Sequence, residues 1–235
     1  MVRSNINKII FENLSCGYGF EGSKELKPIN GLSFTIEPDK IYLLKGGNGL
    51  GKSTLLKALL HEIPDSTGTV TISSDGFEEV RRLTINELEN IIKPVFYMPQ
   101  KVQTIFPERT YVDTVLHTWA RIGTRYASRD QAKALFTDLG ATERVEELRW
   151  RQCDALSGGQ AQYIALILAF LSDTEFLLLD EPTAAVSKEN KQGFVDLINK
   201  LKGNGEHRFI LIASHDPVLD SLADEVIDLD KLPRR

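Results

Sequence analysis

The segment Gly46-Gly-Asn-Gly-Leu-Gly51-Lys52-Ser53 constrains this chain more than any other stretch. It follows the apolar run Ile41-Tyr-Leu-Leu44, which reads as a buried strand. It precedes Ser53-Thr-Leu-Leu-Lys-Ala-Leu-Leu-His61, whose leucines recur at helical spacing. A strand, a glycine-rich turn and a helix in immediate succession satisfy the phosphate-loop pattern G-x-x-x-x-G-K-[ST]. Glycines let the backbone come close to an anion and aim several N–H groups at it, and the helix N-terminus adds a favourable field of about 0.3–2 kcal/mol. On this pattern Gly46, Gly47, Asn48, Gly49, Gly51 and Thr54 belong to the cradle, Lys52 reaches the β- and γ-phosphates of a nucleotide, and Ser53 reaches magnesium. The fold class that follows is α/β, built on a P-loop nucleotide-binding core.

Further on, Phe176-Leu-Leu-Leu-Asp180-Glu181 is a second short apolar strand ending in two carboxylates. Successive strand side chains point to opposite faces, so the two acids are expected to take different roles. Asp180 is the candidate to hold magnesium through water, and Glu181 the candidate to polarise an attacking water. Between the two motifs lies Leu156-Ser157-Gly158-Gly159-Gln160. Two glycines opening a helix present N–H groups to an anion and Ser157 adds a hydroxyl, which makes a second phosphate cradle.

Taken in order, these motifs make the chain resemble the ATP-binding subunits of ABC transporters, and the resemblance covers essentially the whole chain. Tyr18, in Ser-Cys-Gly-Tyr-Gly, matches the aromatic that stacks on adenine. Gln100, in Tyr97-Met-Pro-Gln100, matches the glutamine that touches magnesium and water and moves with the membrane partner. His215, in Ile212-Ala-Ser-His215-Asp216, matches the switch histidine that contacts the γ-phosphate. Without the family none of these three positions would stand out. In the resembled family Ser157, Gly158, Gly159 and Gln160 act in trans, closing over ATP held by the phosphate loop of a facing subunit. The resemblance therefore implies ATP and Mg²⁺ as cofactors and a head-to-tail pair with a second ATPase subunit, identical or different.

Composition narrows the remaining classes. Of 235 residues, 42% are hydrophobic and 26% charged, as in an ordinary soluble globule. Lysine and arginine total 28 against 33 acids, and the formal charge of −5 gives no bulk reason to bind nucleic acid. Cys16 and Cys153 are unpatterned, which argues against a disulfide framework and fits a reducing cytosol. No apolar signal segment opens the chain. The longest apolar stretch, Tyr163–Leu171, falls far short of the roughly 20 residues that span a bilayer as a helix. A membrane role is thus expected to come from transmembrane partner subunits, with this chain cytoplasmic and peripheral on the membrane.

The expected architecture is one ABC ATPase domain over 1–235. Residues 1–105 and 170–235 form the nucleotide-binding core, with a small antiparallel β part, and 106–169 form an inserted helical lobe that carries the signature. Strands are expected at Ile9–Leu14, Leu32–Glu37 and Thr69–Ser73, and helices at Tyr111–Ile122 and, opened by the capping box Ser128-Arg-Asp-Gln131, at Ala132–Leu139. A helix from about Lys188 to Leu201, a strand Phe209–Ser214 and a final strand Glu225–Leu229 complete the core. With Lys231-Leu-Pro-Arg-Arg following the last core strand, a C-terminal regulatory extension is not expected. Two departures from the family stand out. Ser-Ala-Leu-Asp is replaced by Ala184-Ala-Val-Ser187, so an interface acid is missing although Ser187 can cap the next helix, and the helix Ala161–Ala169 carries no arginine. The leading expectation is an ATPase subunit that powers transport. The competing class is a soluble ABC ATPase that remodels or assembles another complex, and co-purification of a polytopic membrane protein discriminates between them.

Overall fold

The structure, a computed structural model, describes residues 6–18, 26–74, 77–90, 92, 94–122, 128–172, 174–202 and 207–232. In chain order the strands and helices are β1 (Ile6–Tyr18), β2 (Leu26–Ile36), β3 (Lys40–Lys45), α1 (Lys52–Leu59), β4 (Thr67–Ser74), β5 (Phe77–Thr84) and β6 (Val95–Met98). They continue with α2 (Val112–Ile122), α3 (Arg129–Asp138), α4 (Thr142–Leu148), α5 (Gly158–Leu171), β7 (Phe176–Asp180), α6 (Lys191–Leu201), β8 (Phe209–Ala213) and β9 (Glu225–Asp228).

Short unbroken apolar runs are what a parallel sheet buried on both faces requires. Strands β3, β7 and β8 have such runs, and they pair in parallel within a five-stranded sheet of order β6-β7-β8-β3-β9. Alternation divides each strand between two cores. Leu43, Leu179 and Ile212 pack under α2, α5 and α6, whereas Tyr42, Leu178 and Leu211 pack towards α1 and the second sheet. That second sheet is antiparallel, of order β2-β1-β4-β5. The small antiparallel part foreseen from the sequence is therefore present, with β5 as an added edge strand.

Between β6 and β7 the chain is helical. Ser128 and Gln131 form both hydrogen bonds of the capping box that opens α3. The arginine-free helix α5 runs unbroken to Leu171, and Ile164 through Leu171 are all buried. A helix that is apolar on every side belongs inside a protein, and α5 fills the space under the parallel sheet. Among the described residues no helix is long and apolar enough to cross a membrane.

Several boundaries differ from expectation. The helix after the phosphate loop starts at Lys52 and ends at Leu59, two residues before the left-handed His61. The expected helix from Lys188 begins as a 3-10 turn, Lys188–Asn190, and becomes α-helical at Lys191. Ser187 does not cap it through its side chain; its hydroxyl accepts from the Asn190 side-chain amide instead. Cys16 and Cys153 are free and buried, and burial pushes their thiols up to about 12 and about 11.

Candidate nucleotide site

Because β6, β7, β8 and β3 are neighbours running the same way, the loops that leave their C-terminal ends open onto one edge of the sheet. Gln100 follows β6, Asp180 and Glu181 end β7, Ser214 and His215 follow β8, and the loop Gly46–Gly51 follows β3.

The loop closes onto α1 through Gly51, whose φ of +92° is strained for any side chain. A Cβ there would also lie 2.9 Å from Cβ of Pro28 in β2. Lys52 is 8% exposed, and its ammonium donates to Gly46 O at 2.8 Å and Gly47 O at 3.4 Å. Ser53 and Thr54 follow in the first turn of α1, both partly buried.

Asp180 is 2% exposed. Burial raises its carboxyl above the usual carboxylate range and the Glu181 charge adds to this, while the Ser53 hydroxyl, the Tyr97 hydroxyl and the Lys52 ammonium pull the other way. Its Oδ2 lies 3.5 Å from Tyr97 Oη, and its Oδ1 has no hydrogen-bond partner among the described residues. An orphaned buried carboxylate oxygen beside a serine hydroxyl suits a hard cation. Magnesium takes one or two carboxylates and keeps several of its waters, so Ser53 and Asp180 fit it without a larger protein cage. Among the described residues no group of three histidine, cysteine or acidic side chains could hold a metal.

The two neighbouring acids separate by backbone rather than by strand alternation. Glu181 lies just past β7 with φ +50°, in the left-handed region that non-glycine residues rarely visit. Its carboxylate is held at both oxygens: Ser214 Oγ donates to Oε2 at 2.8 Å, and His215 Nδ1 lies 2.8 Å from Oε1. Ser214 escaped the sequence reading, although its place immediately before His215 was a usable signal.

The signature segment lies apart from this cluster. Ser157 is the N-cap of α5, its hydroxyl accepting from Gln160 N while the Gln160 side chain accepts from Ser157 N. Gly158 and Gly159 serve a close approach as well as an open helix end. A Cβ on Gly158 would lie 2.7 Å from Ala185 Cβ, and one on Gly159 3.0 Å from Ala185 O. A cleft of about 690 Å³ is lined by Ser157–Gln160, Ala185–Ser187 and the facing side of α6, and by none of the residues Gly46–Thr54. Tyr18 closes β1 opposite Leu26, and its side chain lies outside the described residues.

A phosphate loop between strand and helix, with acids and a histidine at the ends of adjoining parallel strands, defines an α/β nucleotide-binding protein of the P-loop class. The chain belongs to the ABC transporter family, whose profile matches residues 29–184. It is 32% identical over 234 residues to an uncharacterised ABC transporter ATP-binding protein of Mycobacterium tuberculosis, covering 96% of this chain and 64% of that one. It thus spans less than two thirds of that relative's length. It is 30% identical to an energy-coupling factor transporter ATP-binding protein of Staphylococcus epidermidis, covering 95% of this chain and 77% of that one. A bacterial ABC transporter cassette solved as a dimer has the same fold, with a TM-score of 0.72 at 18% identity over 96% of this chain and 97% of that one.

Proposed function

We propose that this chain is the ATP-hydrolysing subunit of an ABC transporter, seated on separate transmembrane subunits at the cytoplasmic face of a membrane. The observation that carries the reading is the convergence of Lys52, Ser53, Asp180, Glu181 and His215 at the ends of adjacent parallel strands. Residues 1–105 and 170–235 act as the nucleotide-binding core and 106–169 as the lobe bearing the signature.

In this mechanism Gly46, Gly47, Asn48, Gly49, Gly51 and Thr54 surround the phosphates of ATP, and Tyr18 stacks on its adenine. Lys52 exchanges its contacts with Gly46 O and Gly47 O for oxygens of the β- and γ-phosphates. Ser53 and Asp180, with Gln100, hold Mg²⁺, which neutralises phosphate charge when bound. Glu181 accepts a proton from the attacking water as its oxygen bonds to the γ-phosphorus and the bridging P–O bond breaks, releasing ADP and inorganic phosphate. A positioned base of this kind contributes about 10²–10⁴-fold. Ser214 and His215 hold that carboxylate in place, and His215, largely exposed, is free on its far side to meet the γ-phosphate. Ser157, Gly158, Gly159 and Gln160 close over ATP bound by a second ATPase subunit arranged head to tail.

Two measurements test the proposal. Affinity purification of the full chain from its native membranes should bring down a polytopic membrane protein, and recovery of only soluble partners would overturn the transport reading. Glu181→Gln should lower ATP turnover by at least about a hundredfold while leaving ATP binding intact; equal turnover in variant and parent would refute the role of Glu181.

A further inference from the structure

Glu181 has a third set of constraints, on its backbone. Its N–H donates to Ala213 O in β8 at 2.8 Å, and its carbonyl accepts from Ala184 N at 3.1 Å. The same carbonyl accepts from Nε2 of Gln162, a side chain on α5 that is 1% exposed, at 3.1 Å. The other end of that amide, Oε1, accepts from Ala185 N at 3.1 Å. One buried side chain therefore bonds through both its amide nitrogen and its amide oxygen to two backbone groups of the segment that follows β7.

The placement follows from helix geometry. Residues four apart share a face of a helix, so Gln162 lies one turn below Gly158, where an added Cβ would meet Ala185. A buried amide with partners at both ends resists displacement, because losing either one strands a desolvated polar group. The left-handed backbone of Glu181 is the conformation that most needs such support, since a residue there persists only where its surroundings over-determine it.

We infer that Gln162 is a positioning residue: it locks the signature helix to the segment Glu181–Ala185, so that α5 and the carboxylate of Glu181 move as one body. The inference rests on the proposed role of Glu181. In a head-to-tail pair it gives a physical link between the two nucleotides. The signature of a subunit faces its partner's ATP, and through Gln162 a shift of that helix displaces the Glu181 that faces the subunit's own ATP.

The clamp is tested first in the unaltered full chain by amide hydrogen exchange. The Ala185 amide should be protected to the level of the α5 amides, although Ala185 itself is exposed; exchange at the rate of an open loop would overturn the clamp. The second test is Gln162→Met, which keeps length and burial and removes both hydrogen bonds. It should lower kcat about ten- to a hundredfold, the scale set by a misplacement of about 1 Å, with the KM for ATP within about twofold and Ala185 protection lost. An unchanged kcat alongside lost protection would refute the positioning role. Glu181→Gln separates the two claims: if that variant turns over normally, the role of Glu181 fails, whereas the exchange result on Ala185 stands or falls without it.

Discussion

Nδ1 of His215 lies 2.8 Å from Oε1 of Glu181, and the two side chains differ sharply in exposure, 63% against 8%. His215 thus closes the solvent side of a buried carboxylate whose other oxygen is held from within by Ser214. Adjacent residues on one loop hold both oxygens of Glu181, and they can do so because β7 and β8 are paired neighbours.

Ser214→Ala removes the inner of these contacts and leaves the outer one. A hydrogen bond to a charged group contributes about 1.5–3 kcal/mol. The expected result is a fall in kcat of about tenfold or more with the KM for ATP nearly unchanged, read from steady-state phosphate release. A change confined to KM would show that Ser214 acts on nucleotide binding instead.

Gly158→Ala forces a Cβ to within 2.7 Å of Ala185 Cβ. Overpacking of this kind costs about 1–3 kcal/mol, more than the helix gains from losing a glycine. Thermal unfolding should show a Tm lower by a few degrees, at about 2–4 °C per kcal/mol for a chain of this size. The second change Ala185→Gly removes the opposing methyl and should restore most of the loss. If the double variant is no more stable than the single one, the close approach is not the reason for the glycine.

Asp224 ties the start of β3 to the segment leading into β9. Its Oδ2 accepts from Ile41 N at 2.8 Å, and its carboxylate pairs with Lys202. Burial raises its pKa, but the Ile41 N–H and the Lys202 ammonium outweigh this and hold it below the usual carboxylate value. A lowered folded pKa means that the stabilisation is complete above the unfolded value, near 4, and is lost as pH falls through the folded one. Asp224→Asn should therefore be less stable than the parent by about 1–2 kcal/mol at pH 7, with the gap narrowing below about pH 4. Urea unfolding at pH 7, 4.5 and 3.5 measures it, and a gap independent of pH would rule out the charge as its source.

Ser187→Asp restores the acid that the family carries at the end of Ala184-Ala-Val-Ser187. Ser187 is exposed beside the cleft that the signature lines, and its hydroxyl accepts from the neighbouring Asn190 amide and bonds to the Glu189 carboxylate. In the Glu181→Gln background, the added charge should tighten the ATP-dependent dimer several-fold in sedimentation velocity, the range of a modest surface ion pair of about 0.2–1 kcal/mol. An unaffected dimer, together with a robust ATP-dependent homodimer of the parent chain, would mean that the substitution is neutral drift.

Much of this protein was legible from short-range pattern. The apolar runs at Ile41–Leu44, Phe176–Leu179 and Phe209–Ile212 are strands of the parallel sheet, and the capping box at Ser128 closes as its residue types dictate. These features depend on residues two to four apart, whose relation is the same in any fold. Strand β5 was not legible, because Phe77, Val80 and Leu83 recur every third residue and carry a helical period. Its extended form comes from pairing with β4. The seven-residue α4 was too short to declare itself against its surroundings. Only the tertiary structure set β7 beside β8, and with it the contact of Glu181 with Ser214, 33 residues away. Only the docking of α5 brought Gln162 onto a carbonyl 19 residues ahead, and Gly158 against Ala185. A hydrogen bond across such a separation depends on how whole elements pack, and that packing follows from the area each buries rather than from the residues that meet at the end.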